Sequence, residues 1–177
     1  MLWSFDHGEP IFSQAVLWGH MNDALQGLLP KDKLDVDAVR RLSAKGYPAI
    51  EPILPALLEW MQDLNWPVAQ ALHPFLVSLG EPLAPHIRSI LRTDDDIWKY
   101  WVLICVVAES PSLLSALKLE LEHLAEKPTD GEREELIDEL ARNMLRRLDN
   151  GSSQSVMPES YRKHNEALLG LEPHEQD

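Results

Sequence analysis

Apolar residues recur with helical spacing along most of the chain. The clearest run lies between residues 130 and 149, where apolar side chains fall on one stripe and charged side chains occupy the opposite face. Thr129 and Glu132 form a capping-box pattern at its start, and Asn150-Gly151 provides a stop. The pattern predicts one amphipathic helix, whose stripe is Leu136, Ile137, Leu140, Ala141, Met144, Leu145 and Leu148.

Shorter apolar stretches, separated by Pro, Gly and Asp, predict further helices upstream. One is expected over 35–45, where Gly46 ends it, and another over 65–79, with Asn65 as its cap and Gly80 as its end. No segment alternates with a period of two, so we predict an all-α fold. The remaining predicted helices cover 11–29, 52–63, 82–92, 97–108 and 111–125, and 97–108 is apolar nearly all round, which predicts the most buried element.

The helix starts suggest an internal repeat. Asp35, Asn65 and Asp96 lie about 30 residues apart, and each opens a helix, a short turn and a second helix. Trp66 and Trp98 occupy similar places inside two of these units. Such a period is typical of a short α-solenoid of helical hairpins, in which stacking makes the core continuous.

The charge balance excludes several classes of protein. The 177 residues include 16 Lys and Arg against 29 Asp and Glu, which gives a net charge of −13. A nucleic-acid binder, including a helical-repeat DNA glycosylase, needs clustered basic residues, so we expect no nucleic-acid partner. The longest uncharged apolar segment, 100–108, is too short for the roughly 20 residues that span a bilayer, so no membrane partner is expected.

The ends of the chain and its cysteine content bear on its location. Asp6 and Glu9 lie where a signal peptide needs a basic start followed by an apolar run. Cys105, the single cysteine, excludes an intramolecular disulfide and is expected to be buried and inert. These features predict a cytoplasmic protein.

The sequence lacks recognisable catalytic, cofactor-binding and metal-binding motifs. It contains no Gly-rich phosphate loop, nucleophile elbow or zinc pattern, so we predict no catalytic residue, no cofactor and no metal. His73 and His86 with Asp63 could be imagined as metal ligands, but histidines at this spacing are more often partly buried core-edge residues. Tryptophan is frequent, and packing is the expected role of Trp60, Trp98 and Trp101.

Polar and aromatic residues near the helix starts are the candidates for contact with a partner. The Asp triplet at 94–96 is explained by helix capping, and the charged island at 31–33 by a solvated turn. Trp66 lies in the first turn of a helix, where an exposed ring could bind. The predicted partner-binding residues are Lys31, Asp32, Lys33, Asp63, Asn65, Trp66, Asp94, Asp95, Asp96 and Lys99.

Several strings resemble a known family. LLPKDKLDVDAVRRL (28–42), GYPAIEPILPALLEW (46–60), QDLNWPVA (62–69), PHI (85–87) and DDDIWKYW (94–101) are similar to an uncharacterised bacterial domain-of-unknown-function family with a HEAT-like fold. The resemblance covers about residues 28–109 and implies a fold without an established reaction. Small helical-repeat proteins of this kind often act in bacteria as binding scaffolds, including immunity proteins against toxins, although fold alone does not determine function.

The sequence therefore predicts four regions and two competing functions. The regions are an N-terminal extension with a capping helix (1–27), a HEAT-like helical repeat domain (28–127), an amphipathic capping helix (128–151) and an acidic, flexible tail (152–177). The favoured function is a non-catalytic module that binds another protein, a basic one in preference to an acidic one, and neutralises a toxin in one version of this hypothesis. The alternative is an enzyme or small-ligand binder with a groove near Asp63, Asn65, Trp66 and His86.

Overall fold

The computed structural model describes residues 25–151, and within that range the regular structure is entirely helical, without a strand. The predicted all-α class is confirmed. The helix expected over 11–29 lies outside the described residues except for its last turn, where Leu25 and Gln26 are helical, and the tail at 152–177 also lies outside. None of the helices in residues 25–151 has the length and apolar character of a membrane span.

Helix α1 (Val36–Lys45) ends where the sequence predicts and begins one residue after the predicted start at Asp35. The side chain of Asp35 accepts a hydrogen bond from the backbone N–H of Ala38 and so caps the first turn. Gly46, at a φ of 68°, ends the helix and donates its N–H to the carbonyl of Leu42. The buried face of α1 packs against helix α3 (Pro67–Leu79).

Prolines divide two of the predicted helices. The segment expected as one helix over 52–63 is a 3₁₀ turn (Glu51–Ile53), helix α2 (Leu54–Glu59) and a second 3₁₀ turn (Trp60–Gln62). The segment over 82–92 is likewise a 3₁₀ turn (Glu81–Leu83) followed by α4 (Ala84–Ile90). Each proline of these two segments lies in the first turn of a new short element, where its missing N–H leaves no helical hydrogen bond unmade, whereas Pro74 lies inside α3 without ending it.

The predicted cap of α3 is wrong. The helix begins at Pro67, and the residue before it, Trp66, makes no side-chain capping bond. Asn65 instead donates its side-chain N–H to Oδ1 of Asp63 at 2.9 Å, which closes a local turn ahead of the helix. The predicted end at Gly80, where φ is 66°, is confirmed.

The segment predicted to be most buried, 97–108, is buried throughout its second half, from 102 to 108, but Ile97 at its start is exposed and Trp98 and Trp101 are half-buried. It forms helix α5 (Asp96–Val102) and continues as a π-helical turn (Leu103–Val107), in which all five side chains are buried. This turn packs against α3. Cys105 lies in it and is buried, as predicted.

Both long helices predicted downstream are interrupted. The segment over 111–125 forms α6 (Pro111–Ala116) and α7 (Lys118–Glu126), with a break at Leu117. The segment over 130–149 forms α8 (Asp130–Glu134) and α9 (Ile137–Asn150), because Leu136 adopts a left-handed conformation with a φ of 55°. The capping box of Thr129 and Glu132 is confirmed, and so is the stop at Gly151.

One apolar core connects these short helices. The most extensive helix packing is between α7 and α9, and α9 also contacts α5 and α6. Trp60, Trp66, Trp98 and Trp101 are partly buried and pack against this core, in agreement with the packing role predicted for three of them. The arrangement brings the start of α5 against α8, where charged side chains gather.

Candidate functional site

A buried ion network joins α5 to α8. The Lys99 ammonium Nζ lies 2.8 Å from Oδ1 of Asp96 and 2.8 Å from Oε1 of Glu132. Only 4% of the Lys99 side chain and 7% of the Glu132 side chain are exposed. The second carboxylate oxygen of Glu132 accepts the backbone N–H of Thr129 at 2.8 Å, so the capping box and the ion pair share one carboxylate.

Burial and pairing act in opposite directions on the pKa values of this network. Burial disfavours the charged form of Lys99, but hydrogen bonds to Asp96 and Glu132 outweigh it and hold the Lys99 pKa above its usual value. Burial raises the pKa of Glu132, but the hydrogen bonds from Lys99 and from the Thr129 backbone lower it by more. The net effect is a Glu132 pKa below its usual value. Both groups are therefore charged near neutral pH.

Gly131 lets Asp96 enter this network. A Cβ atom built on Gly131 would lie 2.1 Å from Oδ2 of Asp96, far inside van der Waals contact. The Asp96 carboxylate, held by Lys99, therefore packs directly on the backbone of α8. The close approach explains a glycine at the second position of this helix.

An acidic groove lies over the network. It has a volume of about 540 Å³, and none of its lining residues is basic. Oδ1 of Asp95 accepts the backbone N–H of Trp98 at 2.9 Å and caps α5. Ile97 is 52% exposed, an unusual position for a large aliphatic side chain among carboxylates. The lining residues are Asp94, Asp95, Asp96, Ile97, Gly131, Glu134 and Glu135.

The structure thus brings together part of the predicted partner-binding set. The three aspartates at 94–96 share one groove, and the capping role expected for them is found at Asp95. Lys99 lies beneath the groove with its ammonium buried between carboxylates, so it cannot reach a partner from there. Its role in this structure is to neutralise Asp96 and Glu132 from within.

A second feature is an aromatic cleft near the start of α3. The rings of Trp60 and Trp66 are 5.9 Å apart between centroids and inclined at 74°. They line a cleft of about 370 Å³ together with Leu29, Pro30, Ala56, Glu59 and Gln62. Asp63 and Asn65 form the turn between the two tryptophans, since the backbone and side-chain N–H groups of Asn65 both bond to the Asp63 carboxylate.

His86 belongs to a different cavity. That cavity has a volume of about 180 Å³ and is also lined by Leu58, Ile90 and Trp98. The indole Nε1 of Trp98 donates to the carbonyl of Leu58 at 3.0 Å and fixes one wall. The structure therefore separates His86 from Trp66, two of the four residues predicted for a ligand groove, although Glu59 touches both cavities.

The charged island at 31–33 is exposed, as a solvated turn should be. Oδ1 of Asp32 accepts the backbone N–H of Leu34 at 2.8 Å, and the backbone N–H of Lys31 donates to Asp35 at 3.2 Å. That backbone bond is the main reason why the pKa of Asp35 lies below its usual value. The island borders a shallow depression with Arg41 and lies apart from the acidic groove in sequence and in lining residues.

Four groove residues, Ile97, Gly131, Glu134 and Glu135, were not predicted from the sequence. The capping box identified Glu132, but nothing in a local pattern indicates that Lys99, 33 residues earlier, is its partner. In the sequence, Glu134 and Glu135 are typical of the solvated face of a helix. Only the structure shows that they lie beside the start of α5.

His73 and His86 do not share a site. Nε2 of His73 lies 3.3 Å from a carboxylate oxygen of Glu109 without hydrogen-bond alignment, whereas His86 lines the cavity beside Trp98. Across residues 25–151, no group of three or more His, Cys, Asp or Glu side chains is arranged to hold a metal ion.

Comparison with known proteins gives one positive result. No curated protein matches the chain. A family model described as "Domain of unknown function (DUF5071)" matches residues 28–145, which include every helix from α1 to α8 and most of α9. By this match, the chain belongs to the DUF5071 family of domains of unknown function.

Proposed function

We propose that this chain is a non-catalytic protein-binding module that holds a basic segment of another protein in its acidic groove. The observation that carries the proposal is the groove itself, where five carboxylates surround the exposed Ile97 and no basic side chain contributes to the lining. A cationic surface with an apolar residue at its centre is the complement of that arrangement.

The charges of the groove argue for a partner rather than for structural pairing. Asp95 caps α5, and Asp96 is neutralised by Lys99, so both contribute to the fold. Asp94 and Glu134 are exposed, and neither makes a side-chain ion pair within the described residues. A cationic group bound in the groove would face both carboxylates.

The net charge of −13 supports the same partner class. A field of this sign attracts basic proteins over a distance of about a Debye length and repels nucleic acid and anionic lipid surfaces. The proposal therefore includes no nucleic-acid and no membrane partner.

The wider biological setting of the proposal rests on the fold. Short helices in succession are compatible with a HEAT-like α-solenoid of three hairpins, the architecture of many binding scaffolds. A bacterial, cytoplasmic immunity protein that blocks a toxin, for example a nuclease, would present acidic groups where the toxin binds phosphate. These parts of the proposal depend on analogy of fold.

Affinity purification from the native host tests the proposal. We expect wild-type protein to capture a basic protein at low salt and to release it at about 0.5 M salt, where the Debye length falls to a few ångströms. The variant Asp94→Asn/Glu134→Gln should lose that protein. Recovery of acidic proteins alone, or of no protein, would contradict the proposal.

A matched variant controls for net charge. Glu126→Gln/Glu139→Gln removes the same number of charges from exposed positions outside the groove lining. It should keep the partner with little change in affinity. Equal losses in the two double variants would show that only the overall charge matters, and would remove the groove from the proposal.

The alternative function, an enzyme or small-ligand binder around Asp63, Asn65, Trp66 and His86, has weaker support. His86 and Trp66 line different cavities, and Asp63 is engaged by Asn65. An enzyme of this kind would need two titratable side chains that face the same bound molecule.

A further inference from the structure

The aromatic cleft carries a more specific chemistry than the acidic groove does. Trp60 and Trp66 stand at 74° to each other, so their indole rings form two walls of a corner rather than a stacked pair. Both rings line the same open cleft of about 370 Å³. Near-perpendicular aromatic walls around an open space are the arrangement that proteins use to surround an organic cation.

The other residues that line the cleft also suit an organic cation with an aliphatic stem. Glu59 supplies a carboxylate at the cleft, and Gln62 supplies an uncharged polar group. Leu29, Pro30 and Ala56 supply an apolar surface against which an aliphatic stem can pack. No Lys or Arg lines the cleft, so a bound cation would meet no like charge there.

The local structure holds the two walls in place. Trp60 begins the 3₁₀ turn after α2, and Trp66 is the residue before Pro67, where the backbone is extended. The turn between them is closed by the Asn65 to Asp63 hydrogen bonds at 2.8 and 2.9 Å. Both rings also pack against the core, so the corner does not have to be assembled when a ligand arrives.

We propose that this cleft is a cation-binding site that takes the Lys or Arg side chain of a protein partner, with the cationic head between Trp60, Trp66 and Glu59. The aliphatic stem of that side chain lies along Leu29, Pro30 and Ala56. The part of this inference that names a protein partner rests on the proposed function. The chemistry of the cleft does not, and it can be measured with small molecules alone.

Choline and its uncharged isostere 3,3-dimethylbutan-1-ol provide the test. The two molecules have nearly the same shape, so any preference for choline reports on charge and cation–π attraction. We expect choline to bind the full chain in the millimolar range and to shift the indole N–H resonances of Trp60 and Trp66, whereas the alcohol binds several-fold more weakly. Equal binding of the two, or no shift with choline, would overturn the proposal.

Variants of the cleft residues test whether choline binds in the cleft. The use of more than one variant keeps the test valid if a single substitution perturbs folding. Trp66→Leu should weaken choline binding about five-fold, the effect of removing one cation–π contact, and Trp66→Phe should retain part of it. Glu59→Gln, at an exposed position, should weaken choline binding but leave binding of the alcohol unchanged. Glu51→Gln removes an equal charge from an exposed position outside the cleft and should change neither. If Glu51→Gln weakened choline binding as much as Glu59→Gln, the cleft would be excluded as the site.

Capped lysine and capped arginine methylamides then identify the side chain. Saturable binding of either one, lost in Trp66→Leu, supports a protein side chain as the ligand, and binding of choline alone contradicts that part of the proposal. The outcome is separable from the groove hypothesis, because Asp94→Asn/Glu134→Gln should leave choline binding unchanged whether or not a partner of the groove exists.

Discussion

Lys99 and Glu132 are 33 positions apart in the sequence, yet their side chains form a buried ion pair with an N–O distance of 2.8 Å. The same ammonium holds Asp96, and the same glutamate caps α8 through Thr129. The pair therefore fixes the start of α8 against α5 and sets the shape of the acidic groove above it.

Replacing Lys99 by methionine should lower the free energy of unfolding by about 3 kcal/mol or more, because two carboxylates would remain without their cation in a largely buried place. Urea denaturation measures this change. Lys118→Met is the control, since its ion pairs span 3.9 and 4.0 Å at half-exposed positions. It should change stability by less than about 1 kcal/mol. Similar losses in the two variants would mean that the Lys99 network does not stabilise the fold.

Stability should depend on pH through Glu132. Its pKa in the folded protein lies below the ordinary glutamate value of 4.5, so the ion pair contributes its full stability above that value. The contribution should be lost as pH falls from 4.5 through the lower folded pKa. Comparing wild type with Glu132→Gln by urea denaturation should give a stability difference that is constant near neutral pH and shrinks in acid. A difference that grows on acidification would contradict the assignment.

The contribution of Lys99 to stability depends on pH in the opposite direction. Its folded pKa lies above the ordinary lysine value of 10.5, so the corresponding stabilisation is complete below 10.5 and is lost as pH rises through the folded pKa. The network should therefore be intact across the neutral range.

Gly131→Ala should destabilise the protein even though alanine is normally favoured over glycine inside a helix by about 1 kcal/mol. The new Cβ would meet Oδ2 of Asp96 at 2.1 Å, and Lys99 prevents that carboxylate from moving freely. We expect a loss of about 1–3 kcal/mol, the range for inserting an atom into a packed contact. In an Asp96→Ala background the same substitution should be neutral or stabilising, and persistence of the loss there would exclude the clash with Asp96 as its cause.

Cys105 should resist alkylation in the native protein. Burial raises the pKa of its thiol to about 12, and the nearby charge of Glu109 acts in the same direction. Very little reactive thiolate is then present near pH 8. Because the chain has one cysteine, the rate of iodoacetamide labelling reports on this thiol alone. Labelling should be slow in buffer and fast in urea, and fast labelling of the folded protein would show that the π-helical turn opens readily.

The groove and the cleft could be predicted only in part from the sequence. Asp94, Asp95 and Asp96 are adjacent in the chain, and the preference of aspartate for helix starts was sufficient to predict their capping role. Trp66 was identified because tryptophan in a first turn is often accessible. Neither pattern shows which residues lie opposite, and so Glu134, Glu135 and the ring of Trp60 were missed as components of these sites.

The ends of the helices could likewise be predicted only in part from the sequence. Local signals determined where α1 starts and ends, since the capping bond of Asp35 and the left-handed turn at Gly46 involve only neighbouring residues. The break at Leu136 has no such signal, because leucine rarely adopts a positive φ and the apolar stripe continues through it. Packing of α9 against α7 accompanies that break.

By itself, the sequence determined the all-helical class, the buried segment around Cys105 and the caps at Asp95 and Thr129. All of these depend on interactions within a few residues or on hydrophobic periodicity. Only the tertiary structure decided that Lys99 is buried with Glu132, that Gly131 receives Asp96, and that two tryptophans form a corner. The physical reason is that these contacts join elements whose relative placement depends on how the whole core packs, and no local spacing in the chain records it.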